Sequence, residues 1–155
     1  MPEPVDDVDR RLLAAVQADA RLSQAALGAR VGLSAAAVNR RLRRLGDDGY
    51  ITKTTAVLAP ELLGSPLTVI AQVEVESEQA DPLDQVQAAF VACPQVQQCY
   101  NVTGDCDFIL VFLVRDMHQY LELSRQLFYA DPNVKRFKTL VALDRTKVTL
   151  DVPFD

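Results

Sequence analysis

The sequence predicts an α+β protein of two modules, a helical one over residues 1–60 and a βαββαβ one over residues 61–155. Three observations predict it. Charge is split along the chain, the glycines at 28 and 32 stand at a spacing that joins two helices tightly, and the second half alternates strand and helix patterns. The formal net charge of −5 hides the first of these. Residues 1–60 hold nine Arg or Lys against seven Asp or Glu, whereas residues 61–155 hold seven against fourteen. Within 21–53, seven basic residues face only Asp47 and Asp48. A small basic module joined to an acidic one is the charge pattern of a nucleic-acid reader attached to a partner domain.

The first helix is expected over Asp9–Asp19, with Asp9 as N-cap and Leu12, Leu13 and Val16 on one apolar face. Ser23 caps a second helix that runs to about Val31, and Gly32 ends it where a positive φ is favoured. Ser34 caps a third helix from Ala35 to about Asp48, closed by Gly49. Two helices crossing at a tight turn need a small residue at the crossing. They also need a glycine in the turn and a branched apolar residue packing back. Gly28, Gly32 and Val38 supply these at helix-turn-helix spacing.

At about 100° per residue, Val38, Arg41, Leu42 and Leu45 share one side of the third helix, the apolar three facing inward. Ala36, Asn39, Arg40 and Arg43 share the other. Small Ala36 lets the backbone approach a groove, Asn39 matches adenine, and Arg40 or Arg43 matches guanine or phosphate. Ser34 and Arg44 complete the expected DNA-contact set. An arginine run alone more often describes a solvated face; its place in this spacing points to double-stranded DNA. Residues 50–58 are β-branched and read as a short wing or connecting strand before Pro60 and Gly64 punctuate the chain.

In the second module, Val69, Ala71, Val73 and Val75 alternate with polar residues, which predicts a strand over 66–76. Asp81-Pro82 reads as an N-cap with proline at the first helical position, and Leu83, Val86 and Phe90 mark the helix to about Ala92. Strands follow at Val96–Val102 and Phe108–Val114, with Gly104-Asp105 turning between them. Asp116 caps a helix to about Ala130, Val134–Leu143 is the fourth strand, and Thr146–Val152 is a candidate short fifth. The pattern Phe90-x-x-Cys93-Pro94-Gln95-Val96 recurs as Phe128-x-x-Asp131-Pro132-Asn133-Val134. Two βαβ halves of this kind make a ferredoxin-like sandwich, two helices on one face of a four-stranded sheet. Phe108–Val114 is apolar throughout, so it points apolar side chains from both faces, and the bare face is expected to be a subunit interface.

Other classes find little support. No apolar run approaches the ~20 residues of a membrane helix. The acidic N-terminus is unlike a signal peptide. Cys93, Cys99 and Cys106 lack paired metal spacing and read as reduced, cytoplasmic thiols, and the single His118 leaves a zinc site short of ligands. No cofactor or metal is expected.

The chain resembles the Lrp/AsnC (leucine-responsive, feast/famine) family over nearly its whole length. The likeness rests on Val8-Asp9-Arg10-Arg11-Leu12-Leu13, on Arg30-Val31-Gly32-Leu33-Ser34, and on Val38-x-x-Arg41-Leu42-x-x-Leu45-x-x-x-Gly49-Tyr50-Ile51. It rests too on Val102-Thr103-Gly104-Asp105-Cys106-Asp107-Phe108, similar to the family's glycine–aspartate loop, and on Asp131-Pro132-Asn133-Val134. The resemblance implies a winged helix-turn-helix and a RAM/ACT-like regulatory domain. It implies dimers that assemble into tetramers, octamers or hexadecamers. It also implies an amino acid or related small-molecule effector held between dimers against the loop. Positions matching the effector site are Tyr100, Thr103, Gly104, Asp105 and Asp107, with Thr139 on the last strand. Carboxylates suit an ammonium group, and a glycine lets backbone N–H groups meet a carboxylate. Val102, Phe108 and Phe137 nearby would favour an apolar or aromatic side chain. A glycine–aspartate pair also serves simply as a hairpin turn, and at this point both readings stand.

Two rival functions share this plan. A nucleoid-like architectural protein would use the same helix without an effector. A siroheme decarboxylase-like enzyme would need His and Arg at a tetrapyrrole pocket, and His118 sits at a helix start where exposure is expected.

Overall fold

The computed structural model describes residues 3–154. The chain divides into two units, one running to Val57 and taking up the chain again from Thr149, the other Leu58–Val148. The expected module 61–155 did not include this return of the tail.

The helical unit contains α1 (Asp7–Ala18), α2 (Gln24–Val31) and α3 (Ala35–Asp47). Asp6, rather than Asp9, caps α1. Its carboxylate accepts from the Asp9 amide at 2.7 Å, and Asp9 returns the bond by accepting from the Asp6 amide at 3.2 Å. This reciprocal box moves Asp9 into the first turn and aims its side chain inward. Ser23 and Ser34 cap α2 and α3 by accepting from Ala26 and Ala37. Gly32 ends α2 at φ +74°, the left-handed conformation that the turn requires. Leu12, Leu27, Val31, Val38 and Leu45 form the core. Residues 51–58 form no strand, and Val57 is almost fully exposed. The expected wing strand is therefore not formed, because nothing in this unit pairs with it. The tail residues 142–154 likewise hold no strand. The Gln17 carboxamide instead accepts from the Val152 amide at 2.8 Å and donates to its carbonyl at 2.9 Å.

The second unit begins with a 3-10 turn, Pro60–Leu63. It continues as β1 (Leu67–Val75), α4 (Ala80–Ala92), β2 (Val96–Asn101), β3 (Phe108–Val114), α5 (Met117–Ser124) and β4 (Val134–Val141). The sheet is antiparallel in the order β2-β3-β1-β4, the ferredoxin-like arrangement. The α4 start differs from expectation: Gln79 occupies the cap and Pro82 is the third helical residue. Proline is tolerated there because first-turn amides have no intrahelical acceptor. Arg125–Tyr129 extends α5 as one wide turn in which the Ala130 amide reaches back to the Arg125 carbonyl.

One face of the sheet packs on both helices. Val69, Ala71, Val73, Phe108, Leu110, Phe112 and Val114 are fully buried there against Val86, Phe90, Tyr120 and Phe128. The two phenylalanines of the sequence echo meet edge to face, 5.9 Å apart, at the centre of this layer. On the opposite face Ile70, Ile109, Val111 and Leu113 stay half-buried and Leu140 exposed. The strand that looked apolar from both sides is so.

Candidate nucleic-acid interface and effector site

The helix α3 carries two faces with different electrostatics. Val38 and Leu45 are fully buried, with Leu42 packed beside them. Ala36, Arg40 and Arg43 are exposed and Asn39 is half-buried. Neither Arg40 nor Arg43 has a carboxylate within ion-pair distance among the described residues. Ser34 is exposed at the head of this face. Its oxygen is occupied by the cap, which leaves the hydroxyl proton free to donate.

Arg41 and Arg44 are placed otherwise. Arg41 Nη1 lies 2.7 Å from both Asp6 and Asp9. Arg44 pairs with Asp9 and lies 2.8 Å from Glu3. Asp9 is 1% exposed and receives both guanidinium groups. Burial pushes its carboxyl up, but hydrogen bonds from Arg41 and Arg44 and from the Asp6 amide outweigh that and hold it below the usual carboxylate range. Arg44, expected on DNA, is thus committed to carboxylates of its own unit. Sequence reading missed Asp9 as the partner. The available signal was Arg41 on the inward side of α3, because a half-buried cation requires a counter-ion.

The glycine–aspartate loop lies between β2 and β3. Gly104 has φ +128°, a conformation that L side chains rarely adopt. Beside it is a cleft of about 350 Å³ lined by Glu78, Leu83, Asn101, Val102, Thr103, Gly104, Cys106 and Asp107. Three of the expected effector residues line it: Thr103, Gly104 and Asp107. Asp107 also ties the loop to β1. Its carboxylate accepts from the Val75 amide at 2.7 Å, its amide donates to the Val73 carbonyl, and its carbonyl accepts from the Val102 amide. One carboxylate oxygen remains for a ligand. Asp105 is exposed outside the lining. Burial and the neighbouring carboxylates of Asp107, Asp105 and Glu74 push the Cys106 thiol up, so it is a neutral wall.

Other expected positions are not brought together with the loop. Tyr100 pairs with Ile109 on the uncovered sheet face and donates to Gln98 Oε1 at 3.0 Å. Thr139 stands on β4, across the sheet from β2, with its hydroxyl 2.7 Å from that of buried Tyr120. Phe137 packs at a tilt against Phe128 and edge to face with Tyr129, and Phe108 is core. The period of two explains where Phe137 and Thr139 point: Val73 and Ala71 face the helices, so their partners Phe137 and Thr139 do too. Of the three residues expected to favour an apolar ligand, only Val102 lines the cleft. Sequence reading did not find Glu78, Leu83 and Asn101. Asn133 fixes that edge by accepting from the Ser77 amide at 2.9 Å and donating to the Ser77 carbonyl.

Among the described residues no group of His, Cys, Asp and Glu could hold a metal ion. His118 is exposed beside Glu122 at the start of α5. No helix is long and apolar enough to cross a membrane.

Comparison with known proteins gives a consistent picture. A model of winged helix-turn-helix DNA-binding domains matches residues 5–52, and one of the Lrp/AsnC ligand binding domain matches residues 68–152. An HTH-type transcriptional regulator of Sinorhizobium fredii is 40% identical over 151 residues, 97% of this chain and 89% of that protein. The leucine-responsive regulatory protein of Escherichia coli K12 is 33% identical over 143 residues, 92% of this chain and 87% of that protein. Among solved structures, a transcriptional regulator of Neisseria meningitidis in complex with L-methionine superposes with a TM-score of 0.90 at 26% identity, over 97% of both chains. An AsnC family regulator of Agrobacterium tumefaciens reaches 0.91 at 27%, over 96% of this chain and 97% of that one. The relatives named are transcriptional regulators, not enzymes.

Proposed function

The chain belongs to the Lrp/AsnC family of DNA-binding transcriptional regulators, and from that premise we propose that it is a cytoplasmic, oligomeric regulator whose DNA affinity answers to an amino acid or close analogue. The observation that carries the reading is the partition of α3. Its outer face offers Asn39, Arg40 and Arg43 without internal partners among the described residues, while the inner arginines are neutralised. Asn39 reads adenine, and Arg40 or Arg43 reads guanine or holds phosphate. Ala36 and the Ser34 hydroxyl approach the backbone.

The half-covered face of Ile70, Ile109, Val111 and Leu113 pairs with a second copy. The effector lies at the Gly104 loop between dimers, its ammonium on Asp107 or Asp105 and its carboxylate on backbone N–H groups. The methionine complex of the Neisseria relative supports a ligand of this class. An effector that prefers one assembly state shifts DNA affinity by its differential affinity, about 1–3 kcal/mol for couplings of this kind.

The test is a mobility-shift assay with DNA from upstream of the chain's own gene. Arg40→Ala or Arg43→Ala is expected to cost about 1–3 kcal/mol where the residue reads a base. Equal affinity of the double variant and the wild type would refute the reading.

A further inference from the structure

The helix α3 holds four arginines within five positions, and among the described residues two of them, Arg40 and Arg43, have no carboxylate partner. Arg44 lies one turn beyond Arg40 and about 40° around the helix from it, at the flank of the outer face. Its side chain is 26% exposed and is held from two sides, by buried Asp9 and by exposed Glu3. Both bonds are charge-assisted, and they raise the Arg44 pKa further. Glu3 belongs to the segment that leads into α1, and the Tyr50 hydroxyl, just past α3, donates to its carbonyl at 3.0 Å. That bond anchors Glu3 across the end of the recognition helix.

We infer that Glu3 and Asp9 withhold Arg44 from DNA and so set how many phosphates the chain neutralises. The inference rests on the DNA-reading role proposed for α3. Affinity that ignores sequence comes from phosphate neutralisation, and each contact adds about −0.9 to the slope of log affinity against log salt. A guanidinium engaged by two carboxylates adds nothing to that slope, whereas one left with Asp9 alone, whose charge Arg41 shares, keeps a nitrogen for a phosphate. Neutralising the outer member of the latch releases one guanidinium nitrogen towards the flanking backbone and leaves Asn39, Arg40 and Arg43 untouched. Affinity for every sequence then rises together, and the ratio between specific and random DNA stays constant.

The experiment compares the full-length wild type with E3Q, R44Q and E3Q/R44Q. The probes are a duplex from upstream of the chain's own gene and a scrambled duplex of equal length. Glu3 is exposed, so E3Q leaves the fold intact, which a melting curve checks. E3Q is expected to bind both duplexes more tightly and by the same factor. Its salt slope is expected to steepen by up to about 0.9 for each chain on the DNA, so the gain shrinks roughly threefold per bound chain between 50 and 200 mM salt. In the R44Q background the E3Q change is expected to leave the slope alone. An unchanged slope in E3Q overturns the inference, as does equal steepening without Arg44, which would make Glu3 a general repulsive charge. Failure of the wild type to bind either duplex removes the DNA-reading role itself, and the inference with it.

Discussion

The carbonyl oxygen of Leu33 occupies the space into which a side chain on residue 28 would project. A Cβ built on Gly28 would lie well inside van der Waals contact of that oxygen. The Gly28 carbonyl in turn accepts from the amides of Gly32 and, at 2.9 Å, Leu33. The turn between α2 and α3 is thus folded back onto a residue that must lack a side chain. Gly28→Ala is expected to cost about 3 kcal/mol, the upper end for overpacking, because the obstacle is backbone and cannot rotate away. Denaturant unfolding checks the stability, and DNA affinity is expected to fall with it.

The Asp9 ion pairs make stability depend on acid. A carboxyl held below its unfolded value of about 3.9 contributes stability that is complete above that pH and is lost as pH falls through the lower folded value. Unfolding free energy is therefore expected to decline below about pH 4. Asp9→Asn is expected to flatten that part of the profile. Thermal melts between acid and neutral pH measure it, and an unaltered profile in the variant would remove Asp9 as the source.

Arg41→Ala leaves Asp9 buried with a single cation. The expected cost is ~3 kcal/mol, the low end for breaking a buried pair, since Arg44 remains. Arg43→Ala, on the exposed face, is expected to leave the unfolding midpoint unchanged. Chemical denaturation of both variants checks the contrast.

Gly104 carries the loop at a positive φ. Gly104→Val is expected to cost about 1–3 kcal/mol in backbone strain and to abolish amino-acid binding at the cleft. Calorimetry with the twenty amino acids checks this. A ligand whose affinity survives Gly104→Val and Asp105→Ala would move the effector site away from the loop.

Val111 sits at the middle of the uncovered sheet face, half-buried between Ile70 on β1 and Gln98 on β2. Val111→Asp is expected to turn the assembly into monomers, since a charge in an apolar interface loses its hydration unpaired. Light scattering at micromolar concentration reads the outcome. A wild type that is itself monomeric would overturn the proposed assembly.

Much of this was legible in the chain itself. Local chemistry determined the caps at Ser23, Ser34 and Asp116 and the left-handed end at Gly32, because each depends on residues within a turn of one another. Period determined β1 and β3, where alternation and an unbroken apolar run identify half-buried and two-faced strands. The echo of Phe90 in Phe128 foreshadowed two halves, and the glycine spacing marked the helix pair. Tertiary structure decided the rest. Only folding brings Asp9 within reach of Arg41 and Arg44, thirty-odd positions later, and so divides the four arginines of residues 40–44 into two that are neutralised and two without a carboxylate partner among the described residues. Only the register of β4 on β1 turns Thr139 and Phe137 towards the helices and away from the Gly104 loop. Residues 50–58 have strand chemistry but find no neighbouring strand. The physical reason is common to all three. Caps and periods are short-range properties of the backbone, whereas ion pairing, facing and strand pairing depend on which distant groups the packed core brings together.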